Sequence, residues 1–147
     1  MANWKLHHIG VIVRDIDKAV GYCQSLGIAK IGREVEVPDE RPPFKAKFVE
    51  IDSLPIEFIQ LLEGESRSPS LQAFAEVCQE FLDKQGEGVQ HFAFAVDNLE
   101  AEKAKMVGKG ASVISEGKAP AASGSSTAHF DTRRIGNFTI QLIQGAE

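Results

Sequence analysis

This chain carries one short pattern twice, and the duplication restricts its fold more than any single motif does. The stretch LHHIGVIV from Leu6 aligns with VQHFAFAV from Val89 at an offset of 83, and IEFIQ from Ile56 aligns with IQLIQ from Ile140 at an offset of 84. Two nearly constant offsets, about 50 residues apart along the chain, mark an internal repeat. Each repeated stretch alternates in the manner of a β-strand. A unit this small cannot bury both faces of its sheet alone. The two copies must therefore pack together round a shared cavity, with equivalent strands facing each other across a pseudo-two-fold axis.

The same order of elements recurs in each half. After LHHIGVIV, Asp15 stands where it can cap a helix whose apolar residues Ile16, Val20, Cys23 and Leu26 recur at helical spacing, with Gly27 just past its end. Strand-like runs follow at IAKIGREVEV, FKAKFVEI and PIEFIQLL, the first two separated by the Pro-rich PDERPP. In the second half VQHFAFAV leads to a helix opened by Asn98, then to strands ASVISEG, STAHFDT and FTIQLIQ, with KAPAASGSS from Lys118 as a small-residue loop suited to a lid. From Ser68 an amphipathic helix, with Leu71, Phe74, Val77, Cys78, Phe81 and Leu82 on one face and Gly86 as its stop, bridges the halves. The expected fold is α+β: a βαβββ module over about 5–64, a linking helix over about 68–86 and a second module over about 88–146, all within a single domain 1–147. At 147 residues and 43% hydrophobic content, the chain suits one compact core of that kind.

A net charge of −5 without a dense Lys/Arg cluster argues against nucleic acid or an anionic membrane as partner. The opening MANWKLHHIG lacks the basic and apolar segments of a signal peptide, and no stretch approaches the roughly 20 apolar residues of a membrane span, so a cytoplasmic location is expected. Cys23 and Cys78 lack metal-type spacing and read as reduced, half-buried thiols.

The repeat also selects candidate site residues. His8 pairs with His91, and Glu57 pairs with Gln141. Alternation places His8 on a face with Gly10 and Ile12, and Glu57 with Ile59, while His7 points to the other face. Two imidazoles, a carboxylate and an amide oxygen converging on one axis suit a divalent ion, whether Zn, Ni, Co, Mn or Fe. Four protein ligands leave an octahedral ion two positions for substrate or water. A lone strand histidine is more often a hydrogen-bonded core residue; four donors at symmetry-related positions favour a metal. His129 either lines the cavity or sits outside it. Lys45, Lys47, Lys118, Arg133 and Arg134 are either solvated surface or holders of a substrate phosphate or carboxylate.

Along nearly its whole length the chain resembles the vicinal oxygen chelate superfamily, also called the glyoxalase, bleomycin-resistance and dioxygenase group. The resemblance is carried by HHIGVIVRDIDKAV, IEFIQLLEGES, GEGVQHFAFAVDNLE and AHFDTRRIGNFTIQLIQ, and is strongest toward methylmalonyl-CoA epimerase-like and lactoylglutathione lyase-like proteins. It implies paired βαβββ modules forming a half-barrel cup, one divalent metal at His8, Glu57, His91 and Gln141, a small-molecule substrate and a homodimer. The implied chemistry is proton transfer next to a carbonyl, through a metal-chelated enolate or enediolate. Gln141 departs from the pattern, since that position usually carries glutamate and an amide cannot take a proton. Glu57 is thus the expected catalytic base, with His129 and Asp131 as candidate substrate-binding groups. The same departure disfavours an extradiol dioxygenase, which draws its carboxylate from the last strand. The alternative from another class is a non-catalytic binding protein like the bleomycin-resistance branch.

Overall fold

A computed structural model of the chain describes residues 3–120, 122 and 124–145. Ala121 and Ser123, in the loop read as a lid, lie outside the described residues. In the first half, strand β1 (Lys5–Ile12) is followed by helix α1 (Ile16–Ser25) and strands β2 (Ala29–Glu34), β3 (Phe44–Ile51) and β4 (Leu54–Leu61). Helix α2 (Pro69–Gln85) leads to the second half: strand β5 (Gly88–Val96), helix α3 (Leu99–Gly108), and strands β6 (Ser112–Lys118), β7 (Ser126–Asp131) and β8 (Thr139–Gln144). A 3-10 turn at Arg133–Ile135, which the periodicity does not show, connects the last two strands.

The eight strands of the described residues form one sheet in the order β2-β3-β4-β1-β5-β8-β7-β6. Read outward from its middle, this order is the same in both directions, as duplication requires. Within each half the first and last strands run parallel, β1 with β4 and β5 with β8, and the halves join through the antiparallel pair β1 and β5. The outcome is the α+β fold of two βαβββ units, curved into a cup.

Helices start where the sequence places their caps. Asp15 accepts from the Lys18 N–H at 3.1 Å and Asn98 from the Ala101 N–H at 3.1 Å, each contact stabilising its helix by about 1 kcal/mol. A second, unanticipated tie is also duplicated. Gln60 on β4 accepts from the Ile16 N–H at 3.0 Å, and its repeat partner Gln144 on β8 accepts from the Leu99 N–H at 2.7 Å. The last strand of each half thereby fixes the start of that half's helix. Gly27 and Gly86, at φ of +70° and +79°, end α1 and α2 in the left-handed region expected of helix stops.

The helices divide the core. Helix α1 packs Ile16 and Val20 against Val49 and Phe58 on one face of the first half, and α3 packs Leu99 against Ala128, Phe130 and Leu142 in the second. Helix α2 covers the opposite face with Leu71, Phe74, Ala75 and Cys78, against Ile12, Phe44, Ala46, Phe48 and Ile59. The sequence reading of Cys78 as half-buried is corrected, because the thiol side chain is fully enclosed in this layer, whereas Cys23 is partly exposed. No helix among the described residues is long and apolar enough to cross a membrane.

Candidate metal centre

The face under α2 is lined by the repeat-equivalent polar residues. His8 on β1, Glu57 on β4, His91 on β5 and Gln141 on β8 are all buried, with relative exposures of 0%, 5%, 1% and 4%. Strand register explains the convergence. Glu57 lies beside Gly10 on the neighbouring β1, and Gln141 beside Ala93 on β5, two equivalent positions in the two halves. His8 and His91 then meet across the central antiparallel pair, Nε2 to Nε2 at 3.1 Å. Glu57 Oε1 lies 3.4 Å from His8 Nε2 and 3.5 Å from His91 Nε2.

These separations fit a cation. Donors about 2.1 Å from one ion lie about 3.0 Å apart at right angles and about 3.4 Å apart at the tetrahedral angle. Among the described residues, His8, Glu57 and His91 form the one group of His, Cys, Asp or Glu side chains whose donor atoms converge in this way. Gln141 is held by a short chain of hydrogen bonds. The Thr127 hydroxyl donates to the Leu142 carbonyl at 2.9 Å, so its oxygen accepts from Gln141 Nε2, also at 2.9 Å. That fixes which end of the amide faces Thr127 and leaves the amide oxygen free to ligate.

The residues before the two histidines complete the surroundings. His7 Nδ1 lies 2.7 Å from His8 Nδ1, and Gln90 Oε1 lies 2.8 Å from His91 Nδ1. Gln90 in turn donates through Nε2 to Thr139 Oγ1 at 3.0 Å. The expectation that His7 points away from His8 is corrected here. Ladder pairing passes from Leu6 with Phe94 to His8 with Ala93, so His7 is an extra residue in β1, and the bulge turns it toward the next ring.

Electrostatics follow from enclosure. Burial pushes the Glu57 carboxyl up, but the charge of His8 and hydrogen bonds from His8 and His91 outweigh it and hold the carboxyl well below its usual range. Burial pulls the His91 imidazole down, opposed by its hydrogen bond to Glu57. His129 is lowered to about 3, by burial first and His91 second.

His129 lines the same small cavity, of about 40 Å³, as Glu57, Gln141 and Thr127, with Phe44, Leu71 and Phe74 as apolar wall. Its ring lies against Phe74 with centroids 4.6 Å apart and the planes tilted by 39°, and its Nδ1 is buried with no hydrogen-bond partner among the described residues. Lys118 and Pro120 line both this cavity and an adjoining basin of about 940 Å³ that also includes Arg33. Asp131 does not line the cavity; three hydrogen bonds from Arg133 hold it beside the 3-10 turn. Arg133 also pairs with Glu80, and Arg134 donates to the Lys109 carbonyl, which engages both guanidinium groups at the surface.

Comparison with known proteins agrees with this fold. Residues 7–129 match the profile of the Glyoxalase/Bleomycin resistance protein/Dioxygenase superfamily. No curated protein matches the chain. Among solved structures, a hypothetical protein from Bacillus halodurans C-125 superposes with a TM-score of 0.74 at 24% identity, covering 99% of this chain and 96% of its own. Methylmalonyl-CoA epimerase from Mycobacterium tuberculosis gives 0.71 at 22% identity, covering 97% and 88%. A single-substitution variant of the Streptomyces coelicolor methylmalonyl-CoA epimerase in complex with 2-nitronate-propionyl-CoA gives 0.71 at 20% identity, covering 97% and 94%. At these identities the likeness is one of fold.

Proposed function

The chain belongs to the Glyoxalase/Bleomycin resistance protein/Dioxygenase superfamily, and on that footing we propose that it is a metal-dependent isomerase or lyase that moves a proton at a carbon next to a carbonyl. One observation carries the reading: three donors converge at ligand spacing while one of them, Glu57, also lines the cavity beside Gln141 and His129. His8, Glu57 and His91 hold the divalent ion, with the Gln141 amide oxygen as fourth ligand. Bound there, the ion supplies positive charge against which a developing oxyanion is stabilised.

The chain's own groups then have separate tasks. Glu57 enters the reaction as a carboxylate, because its neighbours keep it ionised, and it is the base. Gln141 orients without accepting a proton, its amide fixed by Thr127. His129 is held neutral and lines the cavity, and its buried Nδ1 has no hydrogen-bond partner among the described residues, which leaves it a donor or acceptor for a substrate oxygen. Phe44, Leu71 and Phe74 give the cavity an apolar wall. With one carboxylate, transfer by a single base between adjacent carbons is favoured over epimerisation by two bases on opposite faces. The cavity admits only the small reacting portion of a substrate, such as a 2-oxo group or acyl thioester, while the basin holds the remainder.

The test is exchange of substrate α-protons with deuterated solvent, over a panel of acyl-CoA and hemithioacetal substrates, with the bound metal identified first. Exchange that disappears in Glu57→Gln while the metal stays bound supports the assignment. Retained exchange removes Glu57 as base, and purified protein that takes up no divalent metal removes the whole reading. A second reading, a cup that sequesters a ligand without turning it over, is favoured by Gln141, which denies the site its second carboxylate. Ligand binding by metal-loaded protein without exchange on any panel member would establish it.

A further inference from the structure

Side chains on successive residues of a regular strand point to opposite faces, so residue i does not reach the ring of residue i+1. Among the described residues two pairs break that rule, and they are equivalent in the repeat: His7 meets His8, and Gln90 meets His91. Both pairs stand on irregularities of the central ladder. On β1, His7 is the extra residue between Leu6 and His8. On β5, Gln90 is extra, because Gly10 pairs with His91 while the next residue, Val11, pairs with Val89. Two bulges at symmetry-related places, each delivering a side chain to Nδ1 of a site histidine, have a common chemical consequence.

We propose that His7 and Gln90 are positioning residues, each acting as a hydrogen-bond acceptor that holds the following histidine with its proton on Nδ1. Gln90 is committed to that role, because its amide nitrogen donates to Thr139 and its oxygen therefore faces His91 Nδ1. His7 does the same through a bare Nδ1, which puts its own proton on Nε2. With Nδ1 occupied on both site histidines, both Nε2 lone pairs and Glu57 Oε1 face one point at mutual distances of 3.1–3.5 Å. Three acceptors that close repel unless a positive charge stands between them, whether a proton that an imidazole shares with Glu57 in the metal-free protein or a metal ion. The bulges thus convert an imidazole pair that could bond to itself into a centre that demands a positive charge. This inference rests on the metal-site reading only for its second arm below.

The first arm is long-range 15N–1H correlation of the ring nitrogens in metal-free wild-type protein. His8 and His91 are expected to carry hydrogen on Nδ1, and His7 on Nε2 with a bare Nδ1. A bare Nδ1 on either site histidine, or a hydrogen on His7 Nδ1, overturns the proposal whether or not the protein binds metal. In the second arm, Zn²⁺ affinity is measured by chelator competition. Gln90→Leu and His7→Phe, which fill the space without an acceptor, should each weaken binding by about 10–100-fold, and Gln90→Glu, which restores an acceptor, should recover it. Equal affinity in Gln90→Leu and wild type, or equal loss in Gln90→Leu and Gln90→Glu, overturns the role of Gln90. If an apolar variant does not fold, the wild-type spectrum still decides. Wild-type protein with the expected protonation but no Zn²⁺ uptake would count against the metal reading and leave the hydrogen-bond assignment standing.

Discussion

Adding one methyl group at Gly10 should dismantle the centre from behind. Gly10 sits opposite His91 in the central ladder, and the imidazole lies over its Cα. A Cβ at Gly10 would stand 2.5 Å from His91 Nε2 and closer still to Cε1 and Nδ1, while ordinary contact begins at 3.4 Å. Nε2 must therefore retreat by about 0.9 Å, and Cε1 by more, inside a site where the ring is already 1% exposed. Metal–ligand distances are held to within about 0.2 Å, so a shift of that size removes His91 from the ligand set. Overpacking of this kind costs about 1–3 kcal/mol, which for a domain of this length lowers Tm by roughly 3–10 °C. Loss of a ligand should weaken Zn²⁺ by at least about 100-fold, beyond the effect of losing an outer hydrogen-bond partner. Thermal unfolding followed by circular dichroism, together with chelator competition, measures both. The control is Gly10→Ala made in His91→Ala, where no ring meets the new methyl and the stability penalty should shrink to within about 0.5 kcal/mol. Zn²⁺ binding by Gly10→Ala within about threefold of wild type, or an undiminished penalty in the His91→Ala background, would refute the reasoning.

Acid should destabilise the fold through His129. The free imidazole titrates near 6.5 and the buried one near 3, so below pH 6.5 the unfolded chain takes up a proton that the folded one refuses. Stability is intact above that pH and falls by up to about 1.4 kcal/mol per unit as pH drops toward 3, roughly 2–3 kcal/mol at pH 4.5; the lowered His91 adds in the same direction. Denaturant titrations of His129→Phe should show a slope shallower by about one proton, and an unchanged slope would count against a neutral buried His129. Gln141→Glu supplies the second carboxylate, so it should tighten divalent metal while lowering the Tm of metal-free protein through repulsion with Glu57. Weaker metal binding in that variant would show that Gln141 is no ligand.

Much of the fold was legible because burial acts with a fixed period. Alternation put His8 with Gly10 and Ile12, and Glu57 with Ile59, and the repeat paired His8 with His91 and Glu57 with Gln141, all of which are enclosed on the α2 side of the sheet. Asp15, Asn98, Gly27 and Gly86 announced helix ends through local chemistry that needs no tertiary contact. What stayed hidden depended on departures from periodicity. His7 faces inward only because of a bulge, and nothing in two adjacent histidines announces one. Gln90 was hidden for the same reason. Gln60 and Gln144 were visible as a repeated pair, but their helix-tying role needs the distance from strand end to helix start. Asp131 shares the parity of His129, yet β7 ends there and Arg133 captures its carboxylate. Cys78 falls at the middle of α2, where cover from the sheet is complete.

Helix α2 has a further effect, on parity. Two identical half-chains meeting on a true two-fold axis would carry the same residue at both members of every equivalent pair, so a change at the site would come in twos. Such a pair could present two glutamates or two glutamines at the Glu57 and Gln141 positions, never one of each. Joining the halves through Pro69–Gln85 makes odd numbers available while the strand order keeps its mirror arrangement. One carboxylate beside two imidazoles is such an odd number. A divalent ion held there as proposed would keep one uncompensated positive charge, a state that two identical halves on a true two-fold axis cannot provide.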